Sequence, residues 1–237
     1  MDGSVTCVRA RTSDRTSGGG RGAEALARRL GGTVVGEAPA DPGPRDWDAD
    51  LRDAGPALEA ARAAVADRAV ITASDCTICL ATFPEVLRRV PDVRFAWFDA
   101  HGDFNTPDTT PSGFLGGMCL AASCGRWDAG VETVPPDRVH LVGVRDLDPG
   151  ERLEVEAAGL PRGLPEGGPV YVHLDVDVLD PDVLPSQFPV PGGMSAEEVR
   201  DALASLDVVG IEVTAFEAPE DPDELARRTE LVAGLLP

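Results

Sequence analysis

The sequence predicts an α/β fold in which a mostly parallel sheet is covered by helices. Two patterns carry that expectation. Short runs of β-forming residues alternate with amphipathic stretches along the whole chain. Polar, mostly acidic residues then gather where those runs end, which is where an open parallel sheet builds its ligand sites.

Taken in order, strands are expected at residues 33–36, 69–73, 94–98, 139–144, 169–178 and 208–216. Amphipathic helices are expected at 22–30, 56–69, 195–206 and 222–236. The first of these meets a stop at Gly31-Gly32. Ser195 and Glu198 form a capping box, the hydroxyl accepting from the backbone while the carboxylate reaches back. Asp221 before Pro222 pairs an N-cap with a first-turn proline. Residues 37–53, rich in Pro, Asp and Ala, read as a surface loop. No repeat and no convincing linker divides the chain, so residues 1–237 are expected to form one domain.

Charge narrows the partners. The chain carries 21 basic and 41 acidic residues, a formal charge of −20, and contains no lysine. Such a field repels nucleic acid and anionic lipid, so neither is an expected partner, whereas a cationic small molecule or metal ions are compatible with it. No apolar run is long enough to span a bilayer, and the opening MDGSVTCVRA lacks the features of a secretory signal. Five cysteines (Cys7, Cys76, Cys79, Cys119 and Cys124) without disulfide-type spacing suggest a reducing, cytoplasmic setting.

The chemistry sits at the strand ends. Asp75 and Cys76 follow AVITA, and Asp99, His101 and Asp103 follow RFAWF. Asp146 and Asp148 follow HLVGV, Asp175 and Asp177 come late in VYVHLDVDV, and Glu217 follows GIEVTAF. Alternate residues of an extended segment face one way, so D-x-H-x-D and D-x-D each aim their side chains at a common point. Either motif alone is common as a loop or cap; together at strand ends they point to metal. Four carboxylates and one imidazole form a hard, oxygen-rich donor set that suits manganese. A pair of such ions can share carboxylates and lower the pKa of a water between them.

Those residues bring a family into view. FDAHGDFNTPDTTPSG (98–113) resembles the metal motif of the arginase (ureohydrolase) family. YVHLDVDVLDP (171–181) and PVPGG (189–193) resemble its second motif, and GVRDLDPGE (143–151) its substrate loop. The resemblance spans roughly residues 69–220. It implies a three-layer α/β/α sandwich, a homo-oligomeric assembly, and two manganese ions per subunit. It also implies hydrolysis of the guanidino group of an arginine-type amino acid. By position, Asp99, His101, Asp103, Asp175 and Asp177 would ligate manganese. Glu217 would contact the guanidinium, and Glu217 and Asp103 are the catalytic candidates. Asn105 and Ser112 would hold the substrate α-carboxylate, Asp148 its α-amino group, and Glu151 lies in the same loop.

Three departures from the family pattern matter. Ser74-Asp75-Cys76 stands where most arginases have GGDH, whose histidine binds metal. Cys76 is therefore a sixth candidate ligand; a small buried hydrophobe is the plainer reading. A thiolate adds negative charge and softness, which weakens the ions as Lewis acids. Gly116 replaces a proton-shuttling histidine, and the stretch 185–189 is one residue short. These departures resemble the hydroxyarginine-cleaving amidinohydrolases of D-cycloserine biosynthesis, a branch of the family. That branch implies Nω-hydroxy-L-arginine as substrate, with L-ornithine and hydroxyurea as products. The alternatives are an L-arginase and a metal-binding member without catalysis; a one-zinc deacetylase fits the paired motif less well. Cys76-Thr77-Ile78-Cys79 spells CxxC, but the metal motif already accounts for Cys76 and Cys79 suits a helix. His140 reads as structural. His173, two residues before Asp175, reads chiefly as a satisfied core histidine, with support of a carboxylate or proton transfer as the sharper alternative.

Overall fold

In a computed structural model, residues 3–9, 12–37 and 44–237 are described. Among the described residues, seven strands form one sheet: β1 Val5–Val8, β2 Thr33–Val35, β3 Ala69–Thr72, β4 Arg94–Phe98, β5 Val139–Val142, β6 Pro169–Asp175 and β7 Asp207–Thr214. Their order is β2-β1-β3-β7-β6-β4-β5, and every pairing is parallel. Eight α-helices accompany them: α1 Gly18–Arg29, α2 Trp47–Asp53, α3 Gly55–Ala64, α4 Cys79–Arg89, α5 Cys119–Ser123, α6 Pro149–Ala158, α7 Ala196–Ala204 and α8 Pro222–Ala233.

The period of two along each strand divides the interior into two layers. Phe95, Trp97 and Tyr171 pack with Phe83, Leu80 and Val86 of α4, Ala61 of α3 and Val155 of α6. Ala96, Phe98, Val172, Leu174 and Ile211 point the other way, against Leu26 of α1, Val199 of α7 and Val232 of α8. Helices thus cover both faces, giving the α/β/α sandwich. The capping box of Ser195 and Glu198 and the Asp221 N-cap both form.

Several boundaries differ from the sequence reading. β1 was not anticipated. The first helix begins at Gly18, four residues earlier than expected, and the fifth expected strand, 169–178, ends at Asp175 and passes into a 3-10 turn. The loop expected at 37–53 is helical over Trp47–Asp53, because Asp46 accepts from the Asp48 and Ala49 amides and so starts a helix. Residues 38–43 of that stretch lie outside the described residues. Helices α4, α5 and α6 are additional. No helix among the described residues is long and apolar enough to cross a membrane.

Candidate active site

Five adjacent strands, β3, β7, β6, β4 and β5, deliver their carboxyl ends to one cavity of about 300 Å³. Asp75 and Cys76 come from β3, Glu217 from beyond β7, Asp175 and Asp177 from β6, and Asp99, His101 and Asp103 from β4. Parallel register does much of this: Phe98 lies opposite Leu174, and Asp175 opposite Thr214. The acids that follow each strand therefore start from the same level. Asp148 and Glu151, around the start of α6, complete that side of the wall. Asp146 does not reach the cavity; it is exposed, and its backbone bridges to that of His101.

The floor is a buried cluster of acids. His101 Nδ1 lies 3.1 Å from Asp177 Oδ2 and 3.4 Å from Asp99 Oδ1. Backbone amides fix the carboxylates: His101 N donates to Asp99 Oδ1, Ala100 N to Asp177 Oδ1 and Asp177 N to Asp175 Oδ1. Asp99 Oδ2, in contrast, is buried without a hydrogen-bond partner. Burial and the charge of Asp177 push Asp99 up to about 6, and burial with Asp99 alongside drives Asp103 well above the usual carboxylate range. Asp175 is raised well above that range too, by burial and then by Asp177 and Asp99. Burial works against Asp177 as well, but its pairing with His101 holds it below its ordinary value. Burial likewise opposes charge on His101, yet Asp177 and Asp99 outweigh it and push the imidazole up to about 12. So many carboxyl groups in a dry site call for a bound cation.

The donor atoms support one. One atom each from Asp99, His101 and Asp177 lie within 4.8 Å of one another, and so do one each from Cys76, Asp99 and His173. The two groups share Asp99, whose orphaned Oδ2 is the atom a cation would satisfy. Cys76 belongs to this cluster rather than to the apolar core alone. Its Sγ donates to Asp175 Oδ2 at 3.0 Å and lies 3.4 Å from Thr214 Oγ1. Burial and then Asp175 push the thiol well above its normal range, so a thiolate there depends on a neighbouring cation. Asp103 holds φ +48, a left-handed conformation that aspartate tolerates, while its carbonyl accepts from Leu120 and Ala121 at the start of α5.

The upper wall contains the remaining candidates. Thr16 Oγ1 donates to both oxygens of Glu217, at 3.0 and 3.1 Å. A Cβ on Gly18 would lie 1.8 Å from Glu217 Oε1, so a side chain there would displace that carboxylate. Asn105 Nδ2 donates to Asp148 Oδ2 at 3.0 Å, leaving Asn105 Oδ1 buried and unpartnered. Ser112, exposed at the mouth, accepts from the Phe114 amide. Glu151 lines the cavity, but both carboxylate oxygens accept backbone amides, from Phe104 and Asp148. It therefore braces the 101–104 loop against α6.

The structure also accounts for the departures. A Cβ on Gly116 would meet the Phe114 ring at 2.6 Å, so an aromatic ring fills the space beside this backbone. His173 reaches the site through Thr214, whose Oγ1 lies 3.4 Å from His173 Nε2 and 3.4 Å from Cys76 Sγ. It is fully enclosed, stacked on Trp97 at 3.6 Å, with Nδ1 2.6 Å from Glu212 Oε1. Glu212 is also enclosed and accepts from Thr82 and Tyr171. Cys79 faces Ser123, away from the Asp175 contact of Cys76, and no cysteine is paired, so the CxxC spacing carries no disulfide.

Sequence reasoning missed Asp14, Arg45, Phe114 and Phe188 as cavity-lining residues; the first two come from loops far from the main motifs, the last two from positions adjoining them. Burial, with Asp75 and Glu217 nearby, pushes Asp14 up to about 6. It also missed Arg145, whose guanidinium donates to the carbonyls of Gly143, Asp177, Val178, Leu179 and Val190. That fan ties the segment after β6 to the loop after β5.

Comparison with known proteins agrees with this geometry. The model of the arginase family matches residues 57–162 and 157–236. An Nω-hydroxy-L-arginine amidinohydrolase from Streptomyces lavendulae is 35% identical, with 95% of this chain and 93% of that protein aligned. An arginase from Bacillus subtilis (strain 168) is 30% identical over 62% of this chain and 59% of its own length. The crystal structure of Entamoeba histolytica arginase in complex with L-ornithine superposes with a TM-score of 0.80 over 98% of this chain and 97% of that one, at 20% identity. Strand order, acid cluster and sequence relationship converge: the chain belongs to the arginase family.

Proposed function

We propose that this chain is a manganese-dependent amidinohydrolase that cleaves Nω-hydroxy-L-arginine to L-ornithine and hydroxyurea. Family membership already makes it a hydrolase of C–N bonds in linear amidines that acts on arginine-type guanidino substrates. The observation that carries the finer reading is Cys76 within the donor cluster, 3.0 Å from Asp175, in the place of the usual imidazole. Support also comes from the similarity to the S. lavendulae enzyme along nearly the whole chain.

Cys76, Asp99, His101, Asp103, Asp175 and Asp177 would hold two manganese ions. When bound, such ions supply Lewis acidity and an ionised water as nucleophile. The remaining work falls to the protein. Glu217, steadied by Thr16, accepts the guanidino N–H groups and holds the carbon over the floor. To Asp103 we assign transfer of a proton from the attacking water to the departing ornithine nitrogen. Asp148 receives the α-ammonium, with Asn105 and Ser112 at the amino-acid end, so that the reacting carbon is oriented from both sides. An N-hydroxyguanidine is a weaker base than a guanidine, and the altered site suits such a substrate.

Product analysis on Nω-hydroxy-L-arginine and L-arginine, side by side, tests this. The expected kcat/KM ratio favours hydroxyarginine by at least about tenfold, or roughly 1.4 kcal/mol in transition-state binding. A ratio favouring arginine would make the chain an arginase in the strict sense. Glu217→Gln is expected to lower kcat/KM by about 100-fold, the loss of one charge-assisted hydrogen bond. An unchanged kcat/KM would remove Glu217 from guanidino recognition.

Manganese is also expected to raise the Tm of chelator-treated protein, by more at about pH 7 than at about pH 5. The sign follows from Asp99, whose carboxyl is raised from 3.8 to about 6 by burial and Asp177. A raised carboxyl contributes stability that is complete below its ordinary pKa and lost as pH climbs through the raised one. Chelated protein therefore weakens between about pH 4 and 6, where the metal-bound form does not. A Tm difference that shrinks over this range counts against the metal site.

A further inference from the structure

Nine carboxyl groups line the cavity. Such a lining suits both cationic ends of a guanidino amino acid, but it repels the third charged group, the α-carboxylate. Among the described residues one arginine, Arg45, lines the same cavity. It lies immediately before α2, exposed at the mouth, whereas Asp99, Asp175 and Asp177 are buried at the floor. A substrate with its guanidino carbon over the floor extends its amino-acid head toward that mouth.

The geometry around Arg45 fits a receptor for an anion. Its Cζ lies 4.6 Å from the centroid of the Phe114 ring and 5.5 Å from that of Phe188, and those two rings are 5.6 Å apart. A guanidinium carbon placed over an aromatic ring is held by a cation–π contact that uses none of its N–H donors, which leaves those for a carboxylate. No ion pair among the described residues uses Arg45, although Arg15, Arg21 and Arg126 each hold an acid. Asn105 supplies an independent observation. It commits its amide nitrogen to Asp148, and its buried, unpartnered atom is Oδ1. The reverse orientation would set Oδ1 against the Asp148 carboxylate. The free atom is therefore an acceptor, suited to an ammonium and unsuited to a carboxylate.

We infer that Arg45, packed against the adjoining rings of Phe114 and Phe188, determines specificity by pairing with the α-carboxylate of the substrate amino acid. The inference rests on the proposed amino-acid substrate and names the residue that selects it against decarboxylated analogues.

Arg45→Met keeps an apolar stem on the two rings and removes the charge; Arg45→Lys restores the charge without the fork. On manganese-loaded protein, calorimetry would compare L-ornithine with putrescine, which lacks the carboxylate. Kinetics would compare the arginine-type substrate with agmatine. The wild type is expected to favour L-ornithine. Arg45→Met should weaken L-ornithine binding and raise KM about 10- to 100-fold, with kcat nearly unchanged and putrescine binding unaffected. Arg45→Lys should recover part of the loss.

Equal weakening of L-ornithine and putrescine would overturn the inference, showing that Arg45 only shapes the mouth. So would unchanged L-ornithine binding in Arg45→Met, or a wild type with no preference for L-ornithine. A wild type that selects L-ornithine through Arg45 yet turns over no guanidino substrate would refute the proposed function and leave this subsite standing.

Discussion

Replacing Asp175 with alanine is expected to remove metal binding and turnover together. Asp175 closes β6, takes the Asp177 amide on one oxygen and the Cys76 thiol on the other, and sits in the same buried cluster as Asp99 and Asp103. It therefore positions two other candidate ligands besides offering itself. Turnover should fall by about 1,000-fold or more, since a misassembled ion pair loses both the activated water and its placement. The fold should survive. Burial and the neighbouring acids oppose ionisation of Asp175, so deleting it relieves repulsion in the chelated protein. Asp175→Asn, which keeps the shape, controls for packing. Elemental analysis and Tm separate the cases: a folded variant with two bound metals and wild-type ornithine release would refute the assignment.

The second large effect concerns stability. Arg145 makes six hydrogen bonds to five backbone carbonyls, at 2.7 to 3.3 Å. Three of those carbonyls belong to Asp177, Val178 and Leu179, the turn that carries a candidate ligand. Arg145→Ala strands them in a half-buried setting where water replaces the guanidinium poorly. A loss of about 3 kcal/mol or more is expected in urea denaturation, from charge-assisted bonds of roughly 1.5 to 3 kcal/mol each that are partly recovered by solvent. Arg145→Lys should rescue a minority of it, because an ammonium has three donors and cannot reproduce the fork. A change below about 1 kcal/mol would show that the segment is held by other means.

The main strands and the acid cluster were legible because their signals are local. Residues 94–98 and 169–175 are apolar runs that end in D-x-H-x-D and D-x-D, and one sheet converts sequence neighbours into a common floor. Elements went unseen where local rules conflicted. β1 has only the four residues VTCV to declare itself. Helix α4 carries Pro84 in its interior, a residue that reads as a helix breaker, although the segment is buried from Cys79 to Val86. Helix α2 hid behind aspartates that read as loop although Asp46 serves as its cap. Helix α6 hid because Asp148 and Glu151 were read as ligand-binding acids; they are also its capping box.

The site divides in the same way. Strand-end acids are readable from spacing, while Asp14 and Arg45 join the cavity only through the fold, from loops with no pattern of their own. Arg145 lay inside a motif already singled out, but its partners are carbonyl oxygens, which leave no trace in side-chain identity. Gly116 was recognised as the loss of a proton carrier. That the Phe114 ring packs against it became visible only with coordinates.

The most direct test of the whole account is ornithine release from Nω-hydroxy-L-arginine by protein stripped with a chelator and then titrated with manganese. The account predicts no release from stripped protein and full recovery as two equivalents of manganese are bound. Release that persists without metal, or none from a protein holding two manganese ions, would contradict it.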